Sequence, residues 1–174
     1  MHWSYLDLKT YLPQIIGINR GIAGATTQLI LNNFETIFGL LKPKEVYVSI
    51  GSNDLVLLES TIDEAYQGVL KVFEKINSVY PGIKINYLST TPVVAENHKL
   101  YKKIYIAGRT NGQLKSLNYK VEQYCLTNNI KFINQFDGLL DSNGYLKDDL
   151  TADGIHLNKN GYKIYTQTIL NHLK

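Results

Sequence analysis

The sequence predicts a doubly wound parallel α/β sheet with helices on both faces, and three observations predict it. First, short apolar runs alternate with longer segments of helical period along the chain, the pattern of repeated βαβ units. Second, the run Val46-Tyr47-Val48-Ser49-Ile50 is short and rich in β-branched residues, as a buried parallel strand is. Third, it ends in Gly51-Ser52-Asn53-Asp54, a loop beyond a strand's carboxyl end, where open α/β sheets bind ligands. The 174 residues, 44% hydrophobic and 19% charged, suffice for one good core and not for two, so a single domain over residues 1–174 is expected.

The elements follow in order. Met1 to Leu12 reads as a helix in which Trp3, Leu6, Leu8, Tyr11 and Leu12 share much of one face. Ile15–Asn19 reads as a strand, and the Gly-containing loop Arg20–Thr27 opens a helix from about Thr27 to Leu41. Lys42-Pro43-Lys44 turns the chain into the strand Glu45–Ile50. A helix from about Thr61 to Val79 is ended by Pro81-Gly82, and Ile83–Ser89 is the next strand. Thr90 to Gly108 is a long connection leading to a helix from about Thr110 to Asn128. Ile130–Asn134 is the last strand, and Asp137–Asn158 is a second long loop before a carboxyl-terminal helix. Loops of this length in a compact domain are usually functional. Pro92–Gly108 is expected either to wall a substrate cleft, with Tyr101, Ile104 and Tyr105 as apolar contacts, or to be a surface excursion whose tyrosines pack on the core.

Composition narrows the function. The net charge of +3 comes from lysines spread along the chain, so nucleic-acid binding is not favoured; Lys99, Lys102 and Lys103 form the one dense cluster. No stretch has transmembrane length and the amino terminus lacks a signal-peptide pattern, so no membrane span and a cytoplasmic location are expected. The single Cys125 precludes an internal disulfide and, within a helical pattern, is expected to be a buried structural thiol. Asp141, Asp148 and Asp149 read as solvated turn residues, and His2, His98 and His172 fall outside any motif, so neither a metal nor another cofactor is expected.

Thr151-Ala152-Asp153-Gly154-Ile155-His156-Leu157 is the most informative run. A carboxylate three residues before an imidazole, with a Gly between, can fold back into an Asp–His hydrogen bond that orients the ring as a general base. An Asp-Gly turn with a surface His is the plain alternative. Upstream, the backbone N–H of Gly24 and the side-chain amide of Asn53 are donors that a developing oxyanion could use. Taken singly, Gly24 is also explained by a helix-opening turn and Asn53 by an Asn-Asp turn. All three motifs at strand ends, in this chain order, point away from coincidence.

These blocks resemble the SGNH, or GDSL-type, esterases and acylhydrolases, and within them the bacterial members similar to platelet-activating-factor acetylhydrolase. Asn19-Arg20-Gly21-Ile22-Ala23-Gly24 resembles the family's second block, Gly51-Ser52-Asn53-Asp54 its third, and Asp153-Gly154-Ile155-His156-Leu157 with Gly161-Tyr162 its fifth. The resemblance implies a flavodoxin-like, three-layer α/β/α fold and hydrolysis of small acyl esters through an acyl-enzyme. It implies that His156 is the base, that Asp153 orients it, and that Gly24 and Asn53 are oxyanion donors. A small ester is the implied partner, with no nucleic acid. Ala25 departs slightly from the pattern, standing where members often carry a polar or bulkier residue.

The major departure is the first block. The family carries its nucleophile in Gly-Asp-Ser at the end of a first strand, and this chain has no Gly-Asp-Ser. Ser4 lacks the preceding strand, the preceding Asp and the sharp turn that would expose its hydroxyl, and Ser49 and Ser52 belong to the third block. The nucleophile is therefore expected upstream of Met1. The alternative is a non-catalytic remnant that binds an acyl or carbohydrate ligand or a partner protein. A flavodoxin-like nucleotide-binding module is the weakest reading, because Arg20–Gly24 is not a phosphate loop. Without the family's first strand, three arrangements are open: Ile15–Asn19 pairs with Glu45–Ile50, a second copy fills the slot by strand exchange or homo-oligomer formation, or the chain alone is unstable.

Overall fold

The computed structural model describes residues 7–173. Among the described residues, one turn of the predicted amino-terminal helix is seen, α1 (Leu8–Tyr11), capped by the Asp7 carboxylate on the Lys9 N–H; Trp3, Ser4 and Leu6 lie outside the described residues. There follow α2 (Thr27–Asn32), α3 (Phe34–Phe38), β1 (Glu45–Val48), α4 (Asp54–Leu57), α5 (Ile62–Val79), β2 (Lys84–Leu88), α6 (Lys103–Ile106), α7 (Asn111–Thr127), β3 (Lys131–Ile133) and α8 (Lys159–Asn171). The described chain forms two compact units. One comprises the segment up to Gly24, Thr91–Asn111 and the segment from Asn134 onward; the other comprises Ala25–Thr90 and Gly112–Ile133.

The second unit holds the sheet, three parallel strands in the order β1-β2-β3. Parallel strands need crossovers, and right-handed crossovers that advance in one direction place their helices on the same face. The crossover helices α5 and α7 obey this rule: Phe73 of α5 stacks on Tyr124 of α7 and meets Tyr87 of β2 edge-on. Val69, Phe73, Ile76, Leu114, Leu117 and Val121 line this core and are essentially excluded from solvent. Helix α5 starts where the sequence places it, because Thr61 and Glu64 close a capping box. Cys125 is buried, and burial pushes its thiol up to about 12, so it is an inert core residue.

The strand predicted over Ile15–Asn19 is not formed; these residues are irregular, with Ile16 and Ile18 exposed. Among the described residues β1 pairs only with β2, so direct pairing of Ile15–Asn19 with Glu45–Ile50 is not the arrangement found. The reason is physical: β propensity expresses fit to a neighbouring strand, and a β-branched run with no ladder gains nothing from extension. The helix predicted from Thr27 to Leu41 is divided at Asn33, whose side-chain amide donates to the Leu29 carbonyl at 2.9 Å, and α3 stops at Gly39.

In the first unit the two long loops are tied together. Asn111 accepts the Val93 N–H at 2.8 Å and donates to the carbonyls of Val93 and Gly144 at 2.9 and 3.0 Å. Helix α8, capped by Asn158, packs against the 3-10 turns Asp137–Leu139 and Asp148–Leu150 and against α1. No helix among the described residues is long and apolar enough to cross a membrane.

Candidate active site

Residues 151–157 form a closed loop in the first unit. Thr151 and Leu157 are joined by an isolated bridge. The Thr151 hydroxyl donates to the His156 carbonyl at 2.7 Å and accepts the Gly154 N–H at 3.0 Å. Inside this frame Asp153 Oδ1 accepts the N–H groups of Ile155 and His156 at 3.2 and 2.8 Å, and Oδ2 meets His156 Nδ1 at 2.5 Å. A carboxylate only accepts, so Nδ1 is the protonated ring nitrogen and Nε2 the basic one.

Burial works against the charged form of Asp153, but the hydrogen bonds from the His156 ring, the His156 N–H and the Ile155 N–H outweigh it and hold the carboxyl below its ordinary value. The group is more acidic folded than unfolded. Its contribution to stability is therefore present above the unfolded value of about 3.9 and lost as pH falls through the lower, folded value. A carbon NMR titration should place the Asp153 midpoint below that of a peptide aspartate; a midpoint above it would contradict this arrangement.

Gly154 is what lets the two loops close on each other. Its φ is +87°, and an added Cβ would stand 2.7 Å from the Leu100 carbonyl oxygen and 2.7 Å from Val94 Cγ2. Its own carbonyl accepts the Val94 N–H at 3.0 Å. Gly154→Ala combines left-handed strain with overpacking against backbone, and should cost about 2–4 kcal/mol of stability in chemical denaturation. Of the three side chains named for the cleft wall, Tyr105 contacts the dyad: its ring meets the His156 imidazole edge-on at 5.4 Å. Tyr101 is half-buried, and Ile104 is exposed.

Of the other two predicted site residues, Gly24 ends the first segment of the first unit and Asn53 belongs to the second unit. Gly24 occupies a turn at φ +70° and immediately precedes Ala25. The Ala25 carbonyl accepts from Asn53 Nδ2 at 3.0 Å. Asn53 itself opens α4, its carbonyl accepting the Leu57 N–H at 2.8 Å. The turn that carries it is fixed from below. The Tyr87 hydroxyl donates to the Ile50 carbonyl at 2.9 Å, and a Cβ on Gly51, at φ +109°, would press to 3.0 Å from Val69 Cγ2 and 3.2 Å from Leu117 Cδ2.

Asp54 had no role in the sequence reading and has a plain one in the structure. It is 1% exposed, and its carboxylate accepts the Thr27 N–H at 3.1 and 3.2 Å and the Thr27 hydroxyl. Burial raises the Asp54 pKa, and the hydrogen bonds from Thr27 only partly oppose it. Asn53 and Asp54 together clamp their turn onto residues 25–27. Thr151 was likewise missed. The available signals were a Thr that opens a helix and a separate Asn-Asp turn for Asp54, and for Thr151 its place two residues before an Asx turn.

Known proteins resemble this chain in sequence and in fold. The model of the GDSL-like lipase/acylhydrolase family matches residues 3–164. The search of curated proteins found no match. Among solved structures, a candidate platelet activating factor from Streptococcus pneumonia is 25% identical, with a TM-score of 0.89 over 99% of this chain and 80% of its own. A GDSL-like lipase from Bacteroides thetaiotaomicron is also 25% identical, with a TM-score of 0.76 over 95% of this chain and 79% of its own. A candidate acylhydrolase from Bacteroides fragilis, 22% identical with a TM-score of 0.78 over 95% of this chain and 78% of its own, shares the fold. The three parallel strands and their helices are thus those of a flavodoxin-like α/β/α fold.

Proposed function

The chain belongs to the GDSL-like lipase/acylhydrolase family, and on that footing we propose that it is built to hydrolyse small acyl esters through a serine acyl-enzyme. The observation that carries the proposal is the 2.5 Å bond between Asp153 Oδ2 and His156 Nδ1, with the other carboxylate oxygen held by two backbone N–H groups. That arrangement fixes one tautomer and one ring orientation, which is what a general base requires.

In this mechanism His156 Nε2 takes the proton of a serine hydroxyl as its oxygen bonds to the ester carbonyl carbon. Asp153 stabilises the imidazolium, and the Gly24 N–H and the Asn53 amide donate to the tetrahedral oxyanion. Collapse expels the alcohol, which takes its proton from His156. Water, deprotonated by the same nitrogen, then releases the acid and restores the serine. The serine is assigned to a Gly-Asp-Ser segment ahead of Met1. No cofactor takes part.

A non-catalytic remnant that binds an acyl or carbohydrate ligand, or a partner protein, is the second reading, and the observation that favours it is the lack of a Gly-Asp-Ser in the 174 residues. Hydrolysis of p-nitrophenyl acetate separates the two. The 174-residue chain should be poorly active or inactive, and a version extended by a Gly-Asp-Ser strand should turn the ester over. An extended version as inactive as the short one would leave the binding reading.

A further inference from the structure

The basic cluster Lys99, Lys102 and Lys103 is not used by the proposed chemistry, yet its segment lies against the dyad loop in space: the carbonyl oxygen of Leu100 would stand 2.7 Å from a Cβ on Gly154. It leads into α6, whose last residue, Ile106, is fully buried and would lie 3.2 Å from a Cβ on Gly154. Successive helical residues are 100° apart, so Ile104 stands almost opposite Ile106 on this short turn. It is 83% exposed, and Tyr105 beside it is 49% exposed while its ring edge rests on His156. Ala107 and Gly108 follow in left-handed conformations, at φ 52° and 80°, so the chain turns away at once and leaves α6 as a tip. All three lysines are exposed, and among the described residues none forms a salt bridge. The one acidic residue from Ala95 to Tyr105 is Glu96.

Two bulky apolar side chains on a tip, preceded in the chain by three exposed lysines, are ill suited to enclosing a soluble ligand, which calls for a concave apolar wall. They suit a flat, negatively charged, apolar-cored partner. We propose that Lys99–Tyr105 docks on an anionic lipid surface, Ile104 entering the headgroup boundary, Tyr105 sitting at the interface and the lysines facing anionic headgroups. Docked in this way, the stretch brings His156 next to ester-bearing lipid. That consequence rests on the hydrolase reading; the docking itself does not.

Co-sedimentation of the 174-residue chain with vesicles tests the docking without any turnover. The chain should pellet with phosphatidylcholine–phosphatidylglycerol vesicles at low salt, stay in solution with phosphatidylcholine alone, and be released as salt rises. The triple variant Lys99→Ala, Lys102→Ala, Lys103→Ala should partition about 100-fold more weakly, at about fivefold per lysine. Ile104→Ser with Tyr105→Ser should weaken partition about tenfold. Both variants alter exposed side chains and should keep the parent's melting temperature. Failure to pellet with the anionic vesicles, or a triple variant that pellets like the parent, would overturn the proposal. Release by inorganic phosphate far below the ionic strength at which sodium chloride acts would assign the lysines to a small anion and also overturn it. So would concentration-dependent self-association abolished by Ile104→Ser without vesicle binding, which would assign the patch to a second copy. Vesicle binding by a version extended by a Gly-Asp-Ser strand that still hydrolyses no ester would leave the docking standing and remove the hydrolase reading alone.

Discussion

In a version extended by a Gly-Asp-Ser strand, His156→Ala should lower kcat on p-nitrophenyl acetate by about 10⁴-fold or more with KM little changed. The residues of such a unit act together, and removing the base alone has cost about as much as removing the whole triad. What survives reflects oxyanion donors and binding. Asp153→Asn should follow the same direction. An amide keeps a carbonyl oxygen for the two backbone N–H groups that Oδ1 now accepts, but it cannot stabilise an imidazolium and can turn an N–H toward Nδ1, favouring the wrong tautomer. Steady-state rates decide the matter: a His156→Ala variant within tenfold of its parent would remove His156 from the role of base.

The second large effect belongs to Asp54. Asp54→Ala would leave the Thr27 N–H and hydroxyl buried without their acceptor. Each unsatisfied group costs about 1–3 kcal/mol, so the variant should lose about 3–5 kcal/mol in chemical denaturation. Asp54→Asn retains an acceptor oxygen and should lose much less. The pH dependence distinguishes the two further. Burial raises the Asp54 pKa in the folded state, so its contribution is fully present below the unfolded value and lost as pH rises through the folded one. Asp54→Asn should therefore flatten the stability profile across that interval; an unchanged slope would show that Asp54 does not titrate as its burial requires.

What could be read from the sequence was local. The Asp153–His156 pair closes across three residues with Gly154 supplying the turn, so spacing alone exposed it. The helix over Ile62–Val79 carried both its period and its cap. The clamp from Asp54 to Thr27 spans 27 positions, and no period or motif announces a partner that only the fold brings near. The single-turn helices α4 and α6 are too short to show a period. Ile15–Asn19 misled because its β-branched residues state a preference that only a neighbouring strand can satisfy. Gly154 was legible as a turn residue, but its crowding by Leu100 and Val94 was not.

The central claim, that the Asp153–His156 dyad serves a serine supplied ahead of Met1, is tested most directly by a fluorophosphonate probe whose adduct is located by mass spectrometry. The 174-residue chain should remain unlabelled at Ser4, Ser49 and Ser52. The extended chain should be labelled stoichiometrically at the serine of its Gly-Asp-Ser, and His156→Ala should abolish that labelling. Stoichiometric labelling of the 174-residue chain at Ser4 would contradict the account.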